Sequence, residues 1–241
     1  IHTQYLPVEM MKVPLVRQLI KCGSIQAFLL KIGATNDEDY EANRLKVISQ
    51  FVRIRNRYDF PFWAATFVYI KNKGGGEDVL FRLTRPQRRF VLRLEKRRKA
   101  NKPIRIVLLK ARQWGGSTLT QIYMLWLQLH HYENWHSVII SQLQSQSVNI
   151  RNMLSKVISN LPKYHTPATL TTFEHQQLIK HIPERGCRIL VNSAENPDAT
   201  RSFDFSMVHM SEVEGRGLNM SQIQAILYIA YGVWMTDHED R

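Results

Sequence analysis

Nine consecutive residues, Lys110-Ala111-Arg112-Gln113-Trp114-Gly115-Gly116-Ser117-Thr118, bring together two cations, two adjacent glycines and two hydroxyls. That combination suits a phosphate group. Paired glycines let backbone N–H groups turn toward phosphate oxygens. A helix that starts directly after them adds the partial positive charge of its N-terminus. The hydroxyl of Ser117 or Thr118 is an oxygen ligand for Mg²⁺. Lys110 and Arg112 supply full charge, and a guanidinium can grip a terminal phosphate and offset the charge that develops on it during transfer. The usual pattern is Gly, four residues, Gly-Lys, then Ser or Thr. With Gly115 as the second glycine, Gly116 stands in the place of the Lys, Ser117 takes the hydroxyl position and Lys110 replaces the first Gly. The positive charge is therefore expected at the front of the loop. Gly74-Gly75-Gly76 is a turn and no phosphate site, because no Lys-Ser or Lys-Thr follows it.

Two further positions have the chemistry to serve such a loop. The run Phe203-Asp204-Phe205-Ser206-Met207-Val208-His209-Met210-Ser211-Glu212 is largely apolar and ends in an acid. A carboxylate at the end of a strand can polarise a water for attack on a terminal phosphate, which is the role expected of Glu212. Ser211 stands where an Asp usually precedes the Glu, so any metal there is held weakly or through water. Upstream, Gln87 follows Thr84-Arg85-Pro86. A carboxamide donates and accepts at once, which matches the edge of adenine.

The net charge is +13, and it is concentrated. Thirteen Lys and Arg between Arg82 and Arg112 face one acid, Glu95, so the rest of the chain is nearly neutral. A local basic surface attracts polyanions by releasing their counterions. Arg88, Arg89, Arg97 and Arg98 are the expected contacts to DNA. Apolar residues make up 44% of the chain, enough for a sizeable core and too much for a disordered segment. Cys22 and Cys187 have no metal-site spacing and no evident partner, which fits a reducing cytoplasm. No apolar run approaches the roughly 20 residues of a membrane span. The N-terminus shows neither a signal-peptide pattern nor a start Met, so the chain reads as a piece of something longer.

These residues need elements to position them. Residues 1–57 read as helical, with breaks at Gly23-Ser24 and Ala34-Thr35-Asn36-Asp37. The aromatic stretch 59–70 reads as a short helix or strand. Thr84 and Pro86 open a basic helix whose apolar stripe is Phe90, Val91 and Leu94, and Asn101-Lys102-Pro103 ends it. Ile104 to Leu109 reads as a buried strand feeding the loop. A helix over 117–131 turns Leu119, Ile122, Leu125 and Trp126 inward. A strand over 137–141 and a helix over 143–160 follow, the latter with Val148, Met153, Leu154 and Val157 inside. Further strands are expected near 177–182 and 187–192, and over 206–210. Alternating strands and helices imply an α/β fold with a largely parallel sheet. His130 and His131 are expected at a helix end, as favourable C-terminal charges or solvent contacts, and His209 as a hydrogen-bonded core residue. The five Trp residues are expected mostly in the core, with Trp114 near the nucleotide.

Taken together, these residues resemble the ATPase domain of the large terminase subunit, the motor of tailed-phage DNA packaging. The likeness rests on Arg85-Pro86-Gln87 entering a basic helix, on the strand Ile104 to Leu109 running into Lys110–Thr118 with an Arg-Gln pair inside the loop, and on the strand end His209-Met210-Ser211-Glu212. It spans roughly residues 58–214, between a helical segment 1–57 and a divergent tail 215–241. It implies a P-loop NTPase fold of the ASCE type: a mostly parallel sheet flanked by helices. It implies ATP and Mg²⁺ as cofactors and double-stranded DNA as the translocated partner. A portal protein, a small terminase subunit and a homo-oligomeric ring would be its assembly partners, in the cytoplasm of a bacterial host. By that likeness Gln87 contacts adenine, residues 110–118 bind the phosphates through Lys110 and Arg112, Ser117 meets Mg²⁺, and Glu212 and Arg112 are catalytic. The tail after Glu214 shows no coupling motif of that family, Thr236-Asp237 included, and has no room for a two-metal nuclease, so no DNA cleavage is expected. Two other readings stand beside this one. A nucleotide- and DNA-binding module without turnover fits Ser211 and the divergent tail. A helicase-like ATPase fits Gln87 and the loop, but the remaining length lacks a second lobe.

Overall fold

Helices fill the first part of the chain because their apolar spacing is interrupted only at short breaks. The structure, a computed structural model, describes residues 3–34, 37–106, 108, 114–162, 179–195 and 204–211. Helix α1 (Val8–Met11) leads into α2 (Pro14–Cys22), where Pro14 sits in the first turn and Gly23, at φ 77°, ends it. Ser24 then caps α3 (Ile25–Lys31) by accepting the Ala27 N–H at 3.0 Å. The long α4 (Asp37–Tyr58) covers both small cores of this segment, one around Leu19, Phe28, Leu29 and Val47 and one around Met10 and Val16. Asp59 caps α5 (Phe60–Phe67) through the Phe62 N–H, so most of the aromatic stretch is a helix. A short antiparallel pair follows, β1 (Tyr69–Ile70) with β2 (Val79–Leu80), and then the basic helix α6 (Arg85–Lys99).

The second half is α/β. It contains α7 (Gly116–His130), β3 (His136–Ser141), α8 (Gln144–Ser159), β4 (Ile179–Ile182), β5 (Cys187–Ser193) and β6 (Met207–Met210). The described residues thus hold eight α-helices and a four-stranded sheet in the order β4-β5-β3-β6. Strand β3 runs parallel to both β5 and β6, while β4 is antiparallel to β5, so the sheet is mixed but mostly parallel. Side chains alternate between its faces. Ile139, Ile189 and Val191 join the main core with α5, α7 and α8, whereas Val138, Ile140 and Leu190 pack on the other side with Phe205. Both faces of β3 and β5 are buried, which explains why these strands read as continuous apolar runs. Among the described residues no helix is long and apolar enough to cross a membrane.

Two expectations need correction. Residues 104–106 belong to no strand, and Ile104, Ile106 and Leu108 are 38, 43 and 37% exposed. A β-branched apolar run becomes a buried strand only where another segment offers it an edge. Among the described residues no strand pairs with 104–106, so this run makes no ladder there. The remainder of that expected strand, Val107 and Leu109, lies outside the described residues. On α8, Leu154 and Val157 are buried and Met153 packs against the core, but Val148 is 38% exposed, one turn from the buried stripe.

The helix-terminal histidines are also corrected. His130 is 3% exposed, edge-on to Trp63 and tilted against Trp126. Burial pushes its imidazole down to about 3, with the neighbouring His131 adding to the effect. Burial and then the Arg98 charge push His131 down to about 4. Both are therefore neutral near pH 7 and supply no charge to the helix end. Arg185 does that instead, donating to the Gln128 and Tyr132 carbonyls at 2.6 and 2.9 Å. Because the folded pKa values lie below the ordinary 6.5, neither folded nor unfolded chain holds these protons above that pH, and no stability is lost there. As the pH falls below 6.5, the unfolded chain takes up protons that the folded chain refuses, and stability declines. By pH 5 the loss is expected to reach roughly 1–2 kcal/mol per imidazole. Urea titrations at pH 7 and pH 5 measure it, and His130→Phe is expected to remove about half of the decline; an undiminished decline in that variant would show that other groups cause it.

Candidate functional site

The periodicity that buries Val91 and Leu94 on α6 also buries the residue one turn before them. Gln87 is 4% exposed. Its Oε1 accepts the Thr84 N–H at 2.9 Å, which is one half of a capping box and satisfies a donor at the start of α6. Its Nε2 donates to the Trp114 carbonyl at 3.1 Å, across 27 positions of sequence. Gly115 follows, at φ 76° and ψ 19° in the left-handed region, as the N-cap of α7. The left-handed dihedral favours glycine, and a Cβ built there would lie 2.9 Å from the Gln87 amide nitrogen, so a larger residue would also have to displace that amide. Trp114 itself stands edge-on to Phe90 with ring centroids 6.0 Å apart, leaning on α6 and the main core. The second half of the loop and the start of the basic helix are therefore one packed unit.

Directly after it, α7 begins with buried Gly116, whose carbonyl accepts the Thr120 hydroxyl at 3.0 Å. Ser117 and Thr118, both half-buried, occupy its first turn. The Ser117 Oγ lies 2.9 Å from the Ser211 Oγ, so residues 94 positions apart meet by their hydroxyls. Ser211 is delivered by the sheet: β6 pairs with β3 through Ile140↔Met210, and the Ser211 N–H extends the ladder to the Ile140 carbonyl at 2.8 Å. Ser141 and Ser193 end β3 and β5 at the same edge, where they bond Ser147 and Gln144. The carboxyl edge of the parallel strands is thus lined with hydroxyls, and in open α/β sheets that edge is where ligands bind.

The sequence reading places four arginines on DNA, and the structure separates them. Arg88, Arg89 and Arg97 are exposed, as are Arg85, Arg93 and Lys96, so α6 presents a basic outer face. Arg88 and Arg97 brace themselves on the Leu83 and Pro103 carbonyls at 3.2 and 2.9 Å. Arg98 is different. Its side chain is 15% exposed and grips Glu95 with two bonds of 2.8 and 2.7 Å. The Tyr123 hydroxyl donates to the same carboxylate at 2.6 Å, and the His131 ring lies 3.4 Å from the guanidinium. Burial raises the Glu95 carboxyl, but the Arg98 and Tyr123 bonds outweigh it and hold the group below its ordinary range. Arg98 is consequently a buried tie between α6 and α7, with its charge already matched. A signal for this was present: Gln87, Val91, Leu94 and Arg98 recur at spacings of four, three and four, the inward stripe of a helix. No local spacing points to the direct Ser117–Ser211 bond; the sequence reading links the two residues only through a shared metal ion.

Lys110, Ala111, Arg112, Gln113 and Glu212, and the tail from residue 215, lie outside the described residues. Among the described residues no group of three His, Cys, Asp or Glu gathers that could hold a metal ion. The chain matches no protein-family profile, and no curated protein is significantly similar to it. The different placements of Arg97 and Arg98 have a measurable consequence. Arg98→Ala leaves the Glu95 carboxylate buried without its cation and is expected to cost about 2–4 kcal/mol. Arg97→Ala is expected to change stability by less than about 0.5 kcal/mol. Thermal unfolding of both variants measures the contrast, and equal effects would refute the buried-tie assignment.

Proposed function

We propose that this chain is the nucleotide-binding part of a P-loop ATPase of the large-terminase type, which couples ATP hydrolysis to movement along double-stranded DNA. The observation that carries the reading is the 2.9 Å contact between Ser117 and Ser211. It joins a helix entered through Gly115-Gly116 to the carboxyl end of a parallel strand, and Glu212 is the next residue in sequence after Ser211. A phosphate-gripping helix start beside a strand end that is followed by a carboxylate is the arrangement phosphoryl transfer to water requires. In this reading Lys110 and Arg112 hold the phosphates and offset the charge that develops on them. Glu212 orients the attacking water and accepts its proton.

The fit to Mg²⁺ is partial. Two neutral hydroxyls side by side offer a hard cation one oxygen ligand with a hydrogen-bonded neighbour, and no charged cage. Ser117 would hold Mg²⁺ together with the oxygens of the nucleotide, and the bound ion would supply counter-charge to the phosphates. The neutral Ser211 favours a second reading, a module that binds nucleotide and DNA without turnover. The exposed basic face of α6 serves either reading, since duplex phosphates meet Lys and Arg without regard to base sequence.

ATP turnover decides between them. Glu212→Ala and Lys110→Ala are each expected to lower the hydrolysis rate by about 10²-fold or more while the chain stays folded. Equal rates in the parent and both variants would end the enzyme reading, and nucleotide binding without turnover in the parent would establish the second. For DNA, replacing Arg88, Arg89 and Arg97 together by Ala is expected to weaken duplex binding. Its dependence on salt is expected to flatten as well, the slope falling by about 0.9 for each phosphate that the variant no longer neutralises. An unchanged slope would remove α6 from the DNA interface.

A further inference from the structure

Gln87 is the residue whose chemistry and placement disagree. A carboxamide matches the edge of adenine, yet both ends of this one are turned into the protein. Its oxygen caps α6 through Thr84, its nitrogen holds the Trp114 carbonyl, and the residue is 4% exposed. To meet a base, the side chain would have to release both partners, leaving a helix-start N–H and a loop carbonyl without them. The bond also sets a direction. In a trans peptide the C=O and the following N–H point opposite ways. Holding the Trp114 carbonyl against α6 therefore turns the Gly115 N–H away from α6. Gly115 takes its left-handed turn with the Gln87 amide close by; a Cβ there would meet that amide at 2.9 Å and push it from the Trp114 carbonyl. Carboxamide and glycine thus fit each other, and together they fix where the loop enters α7.

We infer that Gln87 is a positioning residue for the phosphate loop and contacts no base, so that recognition at this site is directed at the polyphosphate chain and not at the adenine ring. The inference rests on the nucleotide-binding reading above. It has two tests. The first needs no variant: the parent protein is titrated with ATP, GTP and inorganic tripolyphosphate, and ATP and GTP are expected to bind within about threefold of each other. A preference for ATP above about tenfold would overturn the inference. The second compares Gln87→Met, which keeps the length and removes both hydrogen bonds without adding charge. All three ligands are expected to weaken by the same factor, about fivefold to tenfold, so that the ratio of ATP to tripolyphosphate affinity stays constant. Amide hydrogen exchange over residues 114–118 is expected to speed up, with α8 unchanged. A variant that loses ATP but keeps tripolyphosphate would make Gln87 a base reader, and one that binds all three as the parent does would deny it any role in the loop; either result overturns the inference while leaving nucleotide binding intact. If the parent binds none of the three ligands, the nucleotide-binding reading itself fails.

Discussion

Burying α7 on every side constrains the rest of the molecule. Its residues from Gln121 to His130 are all buried, in contact with α5, α6, α8 and the sheet, and a helix so largely apolar on every side belongs in such a position. Its two ends then have nowhere to vary. At the start, Gly115 lies against Gln87 and Ser117 is set against the end of β6. At the far end, Arg185 takes the last carbonyls while His130 and His131 are held neutral among the Trp63 and Trp126 rings. The side of α7 also anchors the helical segment, through the Trp126 indole N–H on the Asn56 carbonyl at 2.7 Å.

The same burial governs how the basic helix handles its charge. A helix with Arg and Lys at so many positions has to place some of them near the core, and α6 does so at Arg98. The single acid of the whole basic window, Glu95, sits three residues away and neutralises it, and Tyr123 of α7 completes the carboxylate's bonds. An ion pair in such surroundings is weak evidence for net stability, because desolvation offsets much of its attraction. Its directional bonds nevertheless orient α6 on α7. With Gln87 acting at one end of the helix and Arg98 at the other, the exposed arginines are carried on a face whose rotation is set from inside. Any polyanion gathered there and any nucleotide at the loop would share one packed support.

How much of this is legible in the sequence depends on the range of the interactions. Helices α2 to α4 and α6 to α8 follow from spacing, caps and breaks that lie within a few residues, so Gly23, Ser24 and Pro86 announce their ends, whereas the stretch 59–70 suits helix or strand and only the fold makes α5 of it. Strands β3 and β5 announce themselves as apolar runs because both of their faces are covered. At 104–106 the same signal misleads, since a strand exists only where another segment pairs with it, and that is a fact about distant parts of the chain. Arg98 misleads for a nearer reason. Its charge suggests solvent, while its spacing from Val91 and Leu94 points inward, and the presence of Glu95 makes the inward position tolerable. For His130 and His131 the residue type suggests charge, and burial between aromatic rings reverses the outcome.

The sequence by itself determined the types and the local order: two glycines ahead of a helix, hydroxyls in its first turn, an apolar strand ending in Ser211-Glu212, and a charge excess confined to one helix and its flanks. These are properties of adjacent residues, and backbone sterics and hydrogen-bond chemistry act on them at short range. Only the tertiary structure decided which of them meet. The parallel register of β6 on β3 put Ser211 beside Ser117, and the packing of α6 on α7 turned Gln87 toward the Trp114 carbonyl and Arg98 toward Glu95. Such meetings are set by the burial of surfaces far apart in the chain, which selects one arrangement among many that the local signals would equally allow.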